Sequence, residues 1–369
     1  MESVTRFASV SRGQARALIA AIGALLVLAA IVYVPSAPEE LTVAAGPAQP
    51  VGDAPVAPEA TEGERDDDLA LYDRITERVA AGENYYHVAV EEQRARSFPV
   101  RPGFAVRLPT LATASAALGE TGVLAAGALL ALLTFWAWWR RLTPLLERPP
   151  RRIMALGLLA VGAAVGFKPT YFVLHEAWAG MLIALALALH RPGKWRAAWV
   201  AAALALAIRE HALPFVLLMG ALAMWRRDWR ETFFWGLLVL AFGSLLWTHV
   251  QLVAQLTGPQ DPLSAGWLTL RGASGWIEFI TLSSGLYMLP VWLAGPMVML
   301  PLIGWAALND RLGLTAVLLF AGYGLLFMIA GRANNFYWGL MVTPAWFVGL
   351  YWLPGALRDL WQRARMAPA

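Results

Sequence analysis

TGVLAAGALLALLTFWAWWRR (121–141) decides the fold. Residues 121–138 carry no charge, and they match the length needed to cross a hydrocarbon core of about 30 Å. The run then closes on Trp and two arginines, the residue types that anchor a span at the membrane interface. Comparable apolar stretches occur near 16–35, 153–167, 176–190, 196–208, 212–225, 231–252, 286–306, 312–330 and 339–354. The reading is therefore all-α: a polytopic membrane helix bundle of about ten spans, with both termini on one side.

Composition agrees. Of 369 residues, 59% are apolar and only 15% charged, against about 25% charged in a soluble domain. Trp is abundant, and many of the 18 flank the apolar stretches as interfacial aromatics would. Cysteine is absent, which excludes disulfides, thiolate metal ligands and a thiol nucleophile. No P-loop, dinucleotide fingerprint, HExxH or GxSxG is present.

Charge sets the orientation. With the N terminus placed in the cytoplasm, the inward segments hold 18 Lys/Arg and 6 Asp/Glu, and the outward ones 11 and 19. Short inward loops such as RRLTPLLERPPRR (140–152), HRPGKWR (190–196) and RRDWRE (226–231) carry the bias. The organisation follows: a cytoplasmic segment 1–15, a first span 16–35, a Pro/Ala-rich linker 36–65, an outer loop 66–120, a multi-span domain 121–354 and a cytoplasmic tail 355–369. The first apolar run is longer than the 7–15 residues of a signal-peptide core and no A-x-A site follows, so it reads as an uncleaved anchor.

Most of the chemistry-bearing residues face outward. In RDDDLALYDRITERVAAGENYY (65–86), Asp68, Tyr72, Ile75 and Val79 share one helical face, with Asp66 or Asp67 as cap and Gly82 as stop. Asp73 falls nearly opposite Asp68 and is expected to face water. YYHVAVEEQRAR (85–96) is a second helix, and three prolines in 98–112 forbid a regular helix there. The pair is expected to lie on the outer membrane surface. Lys168, His175 and Glu176 border the next outer loop; the last two could bind a metal ion, orient an acceptor or simply occupy the interface. Arg209, Glu210 and His211 interrupt an apolar run (203–218), where each charge would cost about 2.5–3.5 kcal/mol at mid-membrane unless the chain turns there. Arg332, Asn334, Asn335 and Tyr337 occupy the last outer loop, with Trp338 expected as a belt aromatic. Arg271 and Glu278, in the outer segment 253–285, are expected to be solvated, that segment reading as a partly ordered loop with a short interfacial helix.

Asp68 four residues before Tyr72, Gly82 before Tyr85–Tyr86, and Arg107–Leu108–Pro109, followed by HEAWAG, REH and GRANNFYWGLMVTP, resemble the GT-C superfamily of membrane glycosyltransferases. The resemblance implies an inverting transferase in a bacterial inner membrane, with its active site on the periplasmic side. It moves a sugar from a polyprenyl-phosphate donor to a glycan, lipid or protein acceptor. It implies Asp68 as the base, with Arg209, Arg332, Lys168 and His211 on the donor phosphate. Tyr72, Tyr85, Tyr86, Arg107, His175, Glu176, Glu210, Asn335 and Tyr337 would bind substrate. The resemblance fixes no cofactor; a divalent metal, if one binds, would sit at Asp68 and Glu176, and no nucleic acid is implied as partner. Competing readings are a polysaccharide polymerase or ligase, and a transporter or flippase; the latter predicts repeated halves with broken mid-membrane helices.

Overall fold

The structure, a computed structural model, describes residues 5–37 and 67–366. Among the described residues every regular element is helical: α1 (Arg12–Val32), α2 (Asp67–Ala80), α3 (Tyr85–Ala95), α4 (Thr110–Leu142), α5 (Pro149–Ala163), α6 (His175–Leu189) and α7 (Arg196–Ile208). These are followed by α8 (Leu213–Trp225), α9 (Trp229–Leu256), α10 (Gly272–Leu282), α11 (Val291–Ala307), α12 (Arg311–Ile329), α13 (Thr343–Trp346) and α14 (Leu353–Arg365). Beyond residue 37, the linker lies outside the described residues.

Four helical stretches are long and apolar enough to cross a membrane: Arg12–Val32, Gly103–Leu142, Trp229–Leu256 and Arg311–Ile329. Their outer faces are apolar as well as exposed, with Ile31 at 71%, Leu132 at 69% and Leu240 at 72% exposure. Such faces suit lipid and would be costly in water. The remaining apolar stretches form shorter helices. α5 and α6 have 15 residues and α7 and α8 have 13, so each spans only about 20–23 Å.

The stretch 339–354 is not one span. It breaks into a 3-10 segment (Ala333–Met341), α13, a second 3-10 segment (Phe347–Tyr351) and the start of α14. Pro344 and Pro354 each begin a new helix, because neither can continue the one before. The expected span 286–306 likewise starts late, at Val291, after Pro290.

α6 is the central strut. All its residues except Trp178 and Leu189 are buried, against α4, α7 and the Ala333–Met341 segment. Its alanines and Gly180 let backbones approach closely, as small residues do between membrane helices. α1 packs on α11 and α14, and α8 and α9 form an antiparallel hairpin. Trp138, Trp305, Trp346 and Trp352 are core residues, not belt aromatics, all at most 3% exposed. The indole nitrogens of three of them are satisfied: Trp138 donates to Ala184 O (3.1 Å), Trp305 to Trp346 O (3.1 Å) and Trp346 to Val298 O (3.0 Å).

α2 and α3 form a small cap over the ends of α4 and α9. Leu71, Ile75, Tyr85, Val88, Val100 and Val253 make its core. Ionic contacts fasten it. Arg78 donates to Glu92 (2.8 Å), Glu91 (2.9 Å) and Glu83 (2.9 Å), and Arg94 donates to Asp261 (2.8 Å) and to the Leu256 carbonyl (2.6 Å). α4 follows after the 98–109 stretch, which is irregular apart from one 3-10 turn, and turns at Gly119, whose φ of 65° only glycine adopts readily.

α10 corrects the reading of 253–285. It is a buried helix packed on α12, and Glu278 is 1% exposed. Glu278 is ion-paired with Arg271 and accepts bonds from Ser36 N (2.6 Å) and Oγ (3.0 Å). It clamps the chain leaving α1, a long-range role that local polarity did not disclose.

Two outcomes follow. A Cβ added at Gly180 would stand 2.0 Å from the Leu340 carbonyl oxygen, so Gly180→Ala should cost about 1–3 kcal/mol of stability. A lower thermal midpoint in detergent checks this. Burial raises the Glu92 carboxyl, but hydrogen bonds from Arg96 and Arg78 prevail and hold it below its ordinary value. Arg94, against burial, does the same for Asp261. Their stabilisation is therefore complete above the unfolded carboxyl value of about 4, and is lost as pH falls through the lower folded values. Amide protection of α3, corrected for intrinsic exchange, should hold from pH 7 to 5 and fall only in stronger acid.

Candidate functional site

The site lies where α2, the residues before α4, the start of α6, the α7–α8 turn and the 331–341 segment meet. Pro214, second residue of α8, makes the turn obligatory. In a continuous helix its ring would strike the carbonyl of residue 210. α7 therefore ends at Ile208, Arg209 is extended (φ −144°, ψ 119°), and residues 210–212 form one 3-10 turn.

Arg209 is 1% exposed and lies between two carboxylates. Its Nε is 2.7 Å from Glu176 Oε1, and its Nη1 donates to Glu210 Oε1 at 2.5 Å. Glu176, in the first turn of α6, is also 1% exposed. Glu210 Oε1 additionally meets His211 Nδ1 at 3.0 Å. The His211 ring stands 4.2 Å from that of Trp338, and its carbonyl accepts a 2.6 Å bond from Tyr323. The Arg209 Nη2 has no hydrogen-bond partner among the described residues.

A second cation is held differently. Arg107 donates from Nε to Tyr72 OH (3.0 Å) and from Nη2 to Tyr337 OH (3.3 Å). Asn335 Nδ2 reaches the same Tyr337 oxygen at 3.4 Å, and its Oδ1 accepts from the Arg332 backbone at 3.0 Å. The Arg332 Nε and Nη1 are buried without a partner among the described residues. Both nitrogens of His175 are in the same state, its ring 5.6 Å from that of Tyr72. Nowhere among the described residues does a carboxylate lie within ion-pair distance of Arg107 or Arg332.

A cavity of about 490 Å³ opens from Tyr72 and His175. That is within the range of small-molecule sites. Its walls are apolar along α4 (Leu111, Val123, Leu124) and at Phe172, with Asp73, Glu77 and Glu120 at polar positions. Asp73, expected to face water, is half-buried and lines this cavity.

The predicted residues thus separate. Tyr72, Arg107, His175, Glu176, Arg209, Glu210, His211, Asn335 and Tyr337 come together, and Arg332 joins through Asn335. Lys168 does not; it is exposed, its ammonium 5.9 Å from the Tyr171 ring centre. Tyr85 is a structural post: burial raises its phenol well above the ordinary value, and it donates to the Arg107 carbonyl at 2.7 Å. Tyr86 pairs with His249 (3.4 Å), whose Nε2 is 3.0 Å from Val106 O. Asp68 lies in the first turn of α2, one turn before Tyr72, but its side chain and all of Asp66 lie outside the described residues. Trp338 is 4% exposed, not a belt aromatic, because it packs on His211 and Phe279. Sequence reasoning missed Tyr323; a lone phenol within an apolar helix was the available signal. Among the described residues no three His, Asp or Glu side chains are arranged to hold a metal ion, and of the pair expected for one, Asp68 has its side chain outside them.

No protein-family model, curated protein or solved structure matches the chain.

Arg209→Gln should destabilise by about 3–5 kcal/mol, since it leaves Glu176 charged and buried without its cation. Pairing it with Glu176→Gln should recover much of that loss. Thermal unfolding of the two single variants and the double variant measures the coupling, and additive effects would dissolve the pair.

Proposed function

We propose that the chain is an integral membrane glycosyltransferase of GT-C type. Sugar would pass from a polyprenyl-phosphate donor to a periplasmic glycan, lipid or protein acceptor, with inversion. The observation that carries this reading is the cavity at Tyr72 and His175, apolar along α4, whose Tyr72 hydroxyl accepts from Arg107, a cation with no carboxylate in ion-pair distance among the described residues. A lipid-linked phosphate needs both: a greasy approach for the chain and free guanidinium donors for the phosphate.

On this reading the ten apolar stretches cross or re-enter a bacterial inner membrane, both termini are cytoplasmic, and the α2–α3 cap is periplasmic. The inward Lys/Arg bias supports that orientation. Asp68 takes the proton of the acceptor hydroxyl as its oxygen attacks the anomeric carbon. The bond from that carbon to the phosphate oxygen breaks, and the phosphate leaves with the electron pair. Arg332 and Arg107 stabilise the charge that builds on it. Arg209, held by Glu176 and Glu210, positions α6 against the α7–α8 turn. A transporter is less well supported. Between His175 and His190, α6 presents only Ala, Leu, Gly, Met, Ile and Trp beyond Glu176, so this central helix offers no polar path along its length.

The test is transfer from a labelled polyprenyl-phosphate sugar by purified protein in lipid nanodiscs. Turnover should vanish in Asp68→Asn while donor binding persists. Arg332→Gln should weaken donor binding by about tenfold or more, the loss of a charge-assisted bond. Absence of both binding and transfer across a panel of lipid donors would end this reading.

A further inference from the structure

At the opposite end of the bundle, α4 and α6 finish beside a cavity of about 720 Å³ lined by Trp136, Trp139, Arg140, Thr143, Arg152 and Arg191, with Pro144 at its edge. Three arginines from three elements meet there: Arg140 from the last turn of α4, Arg152 from the first turn of α5 and Arg191 from the hairpin after α6. No acid is among the lining residues.

The arrangement is built. Arg152 is only 9% exposed, its guanidinium 4.2 Å from the Trp139 ring centre. Its Nη1 donates to Thr143 Oγ1 at 3.0 Å, and its Nε has no partner among the described residues. Arg140 lies 5.4 Å from the Trp136 ring centre, and Arg191 Nη2 donates to the Arg140 carbonyl at 3.0 Å. Three cations thus line one cavity with no acid in its wall, which favours an anion there.

We propose that this cavity binds the phosphate group of an anionic phospholipid. The lipid source follows from the surroundings. Trp136 and, about two turns before Arg140 along α4, Leu132 (69% exposed) and Leu133, with Ile153 and Met154 next to Arg152 in α5, put exposed apolar side chains on the helices that carry the arginines. An amphipathic ligand satisfies both surfaces, whereas a free anion leaves the apolar one uncovered. Basic pockets between membrane helices recognise headgroups in this way. The site is separate from the one proposed for transfer and does not depend on it.

The experiment uses the full chain in neutral detergent, with native mass spectrometry and thermal unfolding. The added probes are phosphatidylglycerol, phosphatidylcholine or sodium phosphate. Phosphatidylglycerol should be retained and raise the midpoint, and phosphatidylcholine should do neither. Arg140→Gln with Arg191→Gln, both on the accessible side, should cut phosphatidylglycerol retention by about fivefold per charge removed, with the lipid-free midpoint unchanged. Arg152→Gln should cut it further, but as a buried residue it is read only where the variant folds. Equal retention of the two lipids, or full retention by the double variant, overturns the proposal. A midpoint rise from sodium phosphate equal to that from phosphatidylglycerol overturns the lipid assignment.

Discussion

The architecture depends on one buried cation. Arg209 can sit at 1% exposure only because Glu176 and Glu210 flank it. An unpaired guanidinium there would face a penalty of several kcal/mol. The requirement joins the start of α6 to the α7–α8 turn, and it fixes where the central strut of the bundle begins. Tyr323 and Trp338 then complete the wall around His211. Remove the ion pairs and the start of α6 loses its anchor on the α7–α8 turn.

Cations around this point fall into two sorts, and their partners decide what each can do. A guanidinium shared by two carboxylates is electrostatically spent and holds structure. The Arg107 guanidinium is held by the phenols of Tyr72 and Tyr337, whereas Arg332 is held by its backbone N–H, which donates to Asn335 Oδ1; neither has an ion-pair partner among the described residues. Phenols orient Arg107 without an ion pair, and the Arg332 Nε and Nη1 have no partner among the described residues, so both arginines keep their charge for an incoming anion. The proposed transfer chemistry rests on that division.

Polar residues at the two ends of α6 complete the picture. Its middle is alanine and leucine packed at contact distance, which suits a rigid separator between two sites of different character. At one end carboxylates temper the arginines, and at the other, in the Arg140–Arg152–Arg191 cavity, none does. The same short helix thereby divides a candidate site for chemistry from a candidate site for lipid attachment.

The sequence by itself determined the helical class, the apolar stretches, four of which lie in long helices, the α2–α3 pair with its stop at Gly82, and which polar residues deserved scrutiny. All of these depend on interactions within a few residues: apolar runs, glycine and proline geometry, and the rule that backbone polar groups must be satisfied internally in lipid. Only the tertiary structure decided which charges are spent and which are free. Arg209 and Arg332 look alike in sequence, yet one meets two carboxylates and the other none among the described residues. Glu278, in a stretch that reads as solvated, is buried because Arg271 and Ser36 reach it from elsewhere. Trp338 reads as an aromatic of the membrane interface but, like the tryptophans at 138, 305, 346 and 352, fills the core. The break through 339–354 is signalled by its prolines, but that its pieces pack inside, against α5, α6 and α11, depends on partners distant in the chain. Burial and pairing belong to contacts between remote segments, and no local pattern encodes them.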